Sequence, residues 1–309
     1  MPIKVSIIGA GNVGATCTQR LVEKGYADIV LVDIIPGLPQ GKALDILHSA
    51  PILNFNSHLI GTNNYEETAN SDVVVIASGT SRKPGQSRDE LLLTNMDIIK
   101  VVTHNVINYS PHCIIIMVTN PVDAMTHLAL HNTKLPRNKV LGLSGILDGA
   151  RFSSLISAEL NVSVENISPC ILGEHGNNML IIPRLSTING TPITKFLPQD
   201  TISKLITRTI NGGTEIVELL PTGSAFYAPS AAAAQMVDAI ILDKHTILSC
   251  STYLSGEYGI KDIVVNVPVK IGRDGIEQII ELELSEDENI TLANAAKAIN
   301  RLVNTMNIC

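Results

Sequence analysis

The stretch Lys4-Val-Ser-Ile-Ile-Gly-Ala-Gly-Asn-Val-Gly14 decides the fold. Its first five residues read as a short, mainly apolar strand that ends in glycines. A helix is expected to follow over residues 12–25, closed near Gly25. Each glycine has a physical task. Gly9 permits a tight turn, Gly11 lets a pyrophosphate approach the backbone, and Gly14 lets the helix pack on the strand. The helix N-terminus offers free N–H groups and a positive dipole end to phosphates. A second apolar strand, Ile29-Val-Leu-Val-Asp33, ends in an acid 24 residues after Gly9. That is close to the roughly 20-residue spacing of dinucleotide-binding turns. The Asp33 carboxylate can accept hydrogen bonds from ribose hydroxyls and would repel a 2′-phosphate, which favours NAD over NADP as cofactor. A glycine-rich turn alone would carry little weight. Strand, helix and acid in the right order carry much more.

Outward from this turn the alternation continues. A Pro/Gly turn (Pro36-Gly37-Leu38-Pro39) precedes a helix expected from about Gly41 to Ser49. Val73–Ala77 and Cys113–Val118 are further apolar strands, separated by a long amphipathic helix over 89–109. Pro121 opens another helix at its first turn, and Lys139–Gly142 is a short strand. Strands alternating with helices imply βαβ units, and all-apolar strands imply a parallel sheet covered on both faces. Residues 1–144 therefore read as a doubly wound Rossmann domain of the α/β class. Past residue 144 the pattern changes. A helix over 146–160 leads to alternating, antiparallel-looking segments near Val164–Leu172 and Arg184–Ile188. Helices near 201–220, 229–243 and 286–306 follow, so residues 145–309 read as an α+β substrate-binding domain.

The composition agrees with a two-domain globular protein. Hydrophobic residues make up 45% and charged residues 17%, with no Trp, so the core must be built from Ile, Leu, Val and Ala. A net charge of −7 without a basic run disfavours nucleic acid or an anionic membrane as partner. The five cysteines are far apart and form no CxxC pair, which argues for reduced thiols and against zinc or a disulfide frame. Cys309 reads as an exposed free thiol. The chain runs from Met1 straight into a strand, and no apolar stretch reaches about 18 residues. A cytoplasmic protein is expected, with no membrane span.

Several residues carry candidate chemistry. His175 lies in Gly173-Glu-His-Gly176, where the flanking glycines leave its ring accessible to a small ligand. A lone histidine is as often structural as functional, so its company matters. Asp148, at a helix start, can fix the imidazole tautomer and raise its pKa, leaving the other nitrogen to exchange a proton with a hydroxyl or carbonyl oxygen. Arg151 stands three residues on, able to hold a carboxylate in a bidentate fork. Ser81-Arg-Lys-Pro-Gly-Gln-Ser-Arg88 follows a strand at the carboxyl edge of the sheet and reads as a lid over an anionic substrate, against the alternative of a solvated loop with incidental charges. Asn120, at the end of the 113–118 strand, offers an amide at the same edge. Other signals were weaker. Gly37–Ala43 has the wrong spacing for a P-loop, and a Tyr-x-x-x-Lys pair is absent. His127 and His131 share a helix face but lack an acidic ligand pattern, so a solvated face is expected and no metal.

Taken together, the segments GAGNVG (9–14), Asp33, PGLPQGKALD (36–45), SRKPGQSRDELL (81–92), TNPVD (119–123), GILDGAR (145–151), GEHG (173–176) and GSAFYAP (223–229) closely resemble the lactate/malate dehydrogenase family, on its lactate-dehydrogenase-like malate branch. The resemblance runs through nearly the whole chain. It implies reversible NAD-dependent oxidation of malate to oxaloacetate, with a homodimer or homotetramer as assembly. His175 would be the proton donor and acceptor and Asp148 its partner. Arg151 would anchor the C1 carboxylate, Arg88 would polarise the reacting carbonyl, Arg82 would read the substrate side chain, and Asn120 would bind substrate. Asn12, Asn95 and Thr119 would join Gly9, Gly11, Gly14 and Asp33 in holding NAD. A lactate or other 2-hydroxyacid dehydrogenase is the nearer alternative and an inactive NAD-binding sensor the remoter one. Two departures stand out: Asn177 where the family often has Asp, and Ser81 where Pro commonly precedes the specificity residue.

Arg82 carries the specificity argument. A lactate enzyme places a neutral Gln at this position. Oxaloacetate brings a second carboxylate that needs a counter-charge in a closed site, and one unpaired buried charge costs several kcal/mol. Ala225, where lactate enzymes carry Thr, adds room. Arg82→Gln is therefore expected to move the kcat/KM ratio of oxaloacetate to pyruvate toward pyruvate; an unchanged ratio would put the side-chain contact elsewhere.

Overall fold

The computed structural model describes residues 3–80, 88–220 and 222–307. Among them, β1 (Lys4–Ile8), α1 (Asn12–Val22), β2 (Asp28–Val32), α2 (Leu38–Leu53), β3 (Leu59–Thr62), β4 (Val73–Ile76), α3 (Arg88–Tyr109), β5 (Ile114–Met117), α4 (Val122–Thr133) and β6 (Val140–Gly142) form the first half. β1 to β6 are all parallel, in the order β3-β2-β1-β4-β5-β6. β4 and β5 are buried at every position, as strands covered by helices on both faces must be. The order reverses between β1 and β4, and ligands bind beyond the carboxyl ends of strands at such a switch point. Gly9 and Ala77 sit there, directly after the paired Ile8 and Ile76.

The second half comprises α5 (Gly145–Leu160), β7 (Ile167–Ser168), β8 (Ile171–Gly173), β9 (Met179–Ile181), β10 (Thr187–Ile188), β11 (Thr191–Pro192), α6 (Gln199–Leu219), α7 (Tyr227–Ile241), β12 (Thr246–Ser255), β13 (Lys261–Gly272), β14 (Gly275–Ile279) and α8 (Glu286–Thr305). Its larger strands do not form a separate sheet. β12 pairs antiparallel with β6 through Ser251 and Gly142, and β13, β8 and β9 follow, giving one 11-stranded sheet across both halves. Only β7, β10 and β11 form a second, small sheet. One hydrophobic core likewise runs from Val5 to Met306, with a satellite around Phe152 and Ile171. α7 completes the wall beside α1, where Asp238 accepts from Tyr26 Oη at 2.5 Å and pairs with Lys24 Nζ at 2.6 Å.

Two expectations need correction. Residues 246–279 carry no strand signature in the sequence, yet β12 and β13 are the longest strands among the described residues. β12 is rich in Ser and Thr, and Pro268 interrupts β13; proline within a run argues against a central strand. Helix α2 begins at Leu38, inside the supposed turn, and runs to Leu53. Pro39 lies in its first turn, where a backbone N–H has no partner to lose. Among the described residues no helix is long and apolar enough to cross a membrane. Cys17, Cys113, Cys170 and Cys250 are free thiols, and burial pushes Cys17, Cys113 and Cys250 up to about 12. Cys309 lies outside the described residues.

Gly14 shows why the glycine turn is obligatory. A Cβ there would stand 1.8 Å from the carbonyl oxygen of Gly9, a backbone atom that cannot step aside. At Gly41, in α2, a Cβ would meet nothing within 4 Å. Gly14→Ala is expected to cost on the order of 1–3 kcal/mol and lower Tm. Gly41→Ala should leave Tm unchanged or raise it slightly. Equal effects of the two substitutions on a thermal melt would refute this account of the turn.

Candidate active site

The dinucleotide turn has an open face and a rigid back. A Cβ at Gly9 would lie 2.8 Å from the backbone of Ala77 and Ser78, so the turn is pressed onto the end of β4. At Gly11 a Cβ would meet nothing within 4 Å, leaving the space a phosphate needs. Asn12, the first residue of α1, is exposed, and α1 has neither a side-chain cap nor an acidic first turn. Its first N–H groups therefore remain for an anionic ligand. The Asp33 carboxylate accepts from Ala10 N at 2.7 Å and from Ile35 N at 3.0 Å. These bonds fix it beside the glycines while lone pairs remain for hydroxyl donors. These residues fit a dinucleotide.

Asn95 and Thr119 lie at the same edge but point inward. Asn95 is 1% exposed; its Oδ1 accepts from Thr80 N at 2.9 Å and its Nδ2 donates to Asn120 O at 2.8 Å. Thr119 Oγ1 donates to Ser78 O at 2.5 Å. Both tie the ends of β4 and β5 together around the cleft. Asn120 itself is exposed.

A cleft of about 350 Å³ opens beside this edge. Asn120, Asp148, Arg151, His175, Asn177 and Ala225 line it, and so does Val13 from the dinucleotide turn. His175 follows β8 in a loop shaped by Gly173, whose φ is +92° and whose Cβ would lie 2.7 Å from Asn178 O. Asp148 lies in the first turn of α5 and is 1% exposed. Its Oδ2 stands 2.7 Å from His175 Nδ1, and its Oδ1 accepts from Arg151 at 3.1 Å. The carboxylate sets the tautomer, with the proton on Nδ1 and Nε2 left for a ligand. Burial alone would push the His175 pKa down. The charge and hydrogen bond of Asp148, with the charge of Asp123, outweigh burial and hold it above the ordinary histidine value, against the opposing charge of Arg151.

Sequence reasoning missed two contributors. Gly212 and Gly213 lie within the unbroken helix α6, and a Cβ at Gly212 would lie 3.2 Å from Arg151 Cδ. The glycines make room for the guanidinium, and a Gly-Gly pair within an amphipathic helix is a legible signal of close approach. Asp123 is the other; its Oδ2 accepts from His175 N at 2.9 Å.

Arg82 and the side chain of Arg88 lie outside the described residues; the Arg88 backbone begins α3. The sequence led us to expect a solvated face at His127 and His131, and the structure does not show one. Both are half-buried against neighbouring elements, with Nδ1 atoms lacking a hydrogen-bond partner, and His127 stands 6.0 Å from the ring of Tyr253. Burial, then the charge of His131, lowers the His127 pKa.

Comparison with known proteins agrees with this geometry. The family model for the lactate/malate dehydrogenase NAD binding domain matches residues 3–142, and that for the alpha/beta C-terminal domain matches residues 146–307. A malate dehydrogenase of Chloroherpeton thalassium is 49% identical, over 98% of this chain and 99% of that protein. The crystal structure of Cryptosporidium parvum malate dehydrogenase superposes with a TM-score of 0.97 at 41% identity, covering 100% of both chains. A lactate dehydrogenase from the same organism, complexed with lactic acid and cofactor, gives 0.96 at 35% identity, over 99% of this chain and 98% of that one. The backbone is thus common to enzymes named for two substrates, and this chain belongs to the lactate/malate dehydrogenase family.

Proposed function

We propose that this protein is an NAD-dependent malate dehydrogenase, oxidising (S)-malate reversibly to oxaloacetate. The observation that carries the reading is the set His175, Asp148 and Arg151 in one cleft with Asn120, next to Val13 of the dinucleotide turn. The relatives named malate dehydrogenase, and Arg82 in the sequence, favour malate over lactate. In this reading residues 1–144 hold the cofactor and residues 145–309 supply the substrate chemistry. A homodimer or homotetramer in the cytoplasm is part of the proposal; exposed Leu44, Ile52 and Leu53 on α2 support self-association.

Bound in this cleft, NAD would supply the hydride acceptor for malate C2. Gly9, Gly11, Asn12, Gly14 and Asp33 hold it, with Asn95 and Thr119 shaping the floor. Arg151 binds the C1 carboxylate in a bidentate fork. Arg82 neutralises the second carboxylate and Arg88 polarises the C2 oxygen. Asn120 donates its amide to the substrate. His175 Nε2 takes the hydroxyl proton, and the Asp148 carboxylate stabilises the imidazolium that forms. In the reverse direction His175 starts protonated and returns that proton to the carbonyl oxygen.

This assignment fixes the sign of the pH dependence. Oxaloacetate reduction needs the imidazolium, malate oxidation the neutral ring. Because the His175 pKa is raised, reduction should persist above the ordinary histidine value and fall only as pH rises through the higher one. Malate oxidation should rise across the same interval. Parallel rather than opposed profiles would exclude His175 as the proton carrier. His175→Asn should lower kcat in both directions by roughly 10²–10⁴-fold with NADH binding retained. Wild-type protein that binds NADH yet never oxidises it with oxaloacetate would instead favour a sensor.

A further inference from the structure

His175 is held at two points by carboxylates from two different helices. Asp148 of α5 holds the ring. Asp123 of α4 holds the backbone, accepting from His175 N at 2.9 Å, and is 3% exposed. Its second oxygen accepts from Ser251 Oγ on β12. Ser251 Oγ lies 2.9 Å from Ser144 Oγ, which lies 3.0 Å from Asn266 Oδ1 on β13. Asn266 also accepts from Gly145 N, at the start of α5, and donates to Ile171 O on β8. The fully buried chain thus runs from α4 to the helix carrying Asp148 and the strand leading to His175.

We infer that Asp123 is a positioning residue for proton transfer: it fixes the His175 backbone against α4, and its negative charge favours the imidazolium. The inference rests on the proposed role of His175. A structural role would need only an acceptor of the right shape. Here a charge is kept in a buried place. Burial, with a smaller push from the charge of Glu174, outweighs the hydrogen bonds from Ser251 and His175 and the charge of His175, leaving the Asp123 pKa raised to about 6. Among the described residues, the charges acting on His175 are Asp148 and Asp123, which raise its pKa, and Arg151, which lowers it. The two hydrogen bonds donated to Asp123, from His175 N and Ser251 Oγ, favour its ionised carboxylate.

The test is the pH profile of kcat/KM for oxaloacetate with saturating NADH, measured beside Tm for Asp123→Asn, Asp123→Ala and Ser251→Ala. Asp123→Asn keeps the size and an acceptor oxygen but removes the charge. Its profile midpoint should fall by about half a pH unit or more, with the KM for NADH unchanged. Ser251→Ala removes a hydrogen bond that keeps the carboxyl ionised, so its midpoint should fall too. Asp123→Ala frees the His175 backbone and should lose about ten-fold in kcat, much of it restored by Asn. Should the Ala variant fail to fold, the other two midpoints decide. Unmoved midpoints with a lowered Tm would overturn the inference. A wild-type profile without a midpoint would overturn the His175 assignment instead, which is a distinguishable result.

Discussion

The Asp148 carboxylate is the interaction on which the site depends. It is 1% exposed, and an ion so buried costs several kcal/mol unless its partners are in place. His175 Nδ1 and Arg151 supply them, at 2.7 and 3.1 Å. The two partners come from separate parts of the chain, so satisfying one carboxylate brings the loop after β8 and the second turn of α5 into one cleft. The arrangement also divides labour. Nδ1 is committed inward, which leaves Nε2 for chemistry, and Arg151 is held with donors to spare.

The continuous sheet makes that meeting possible. β6 ends the parallel run, and β12 docks on it antiparallel, carrying β13 and β8 behind it. His175 therefore emerges from the same sheet whose opposite end bears Gly9 and Asp33. Gly14 and Gly9, in near contact, set the entry of α1, and Ala77 presses the turn from below. The glycine turn and His175 are thus fixed by strands of one sheet, not by two bodies free to drift.

Local chemistry was legible in the sequence; long-range partnership was not. The Gly9–Gly14 turn, Asp33, and Asp148 with Arg151 are short patterns whose purpose follows from their own spacing. The β12–β13 pair escaped because Ser, Thr and Pro268 obscure strands whose burial comes from neighbours far away in sequence. α2 began early because Pro39 in a first turn reads equally as turn or helix. Asp123 lies 52 residues from His175, and nothing in TNPVD announces that its carboxylate will reach that backbone. In the sequence the word malate rests mainly on Arg82, whose place comes from the family resemblance and whose charge suits a second carboxylate, with Ala225 beside it.

The central claim is that this family scaffold, shared with a lactate enzyme of nearly the same backbone, is here committed to a dicarboxylate. The most direct measurement is kcat/KM for oxaloacetate and for pyruvate, with NADH, on the same preparation. Pairing of the second carboxylate by Arg82 should favour oxaloacetate by at least about a hundred-fold, the factor expected from a few kcal/mol of unpaired charge. Equal efficiency, or a preference for pyruvate, would contradict the account.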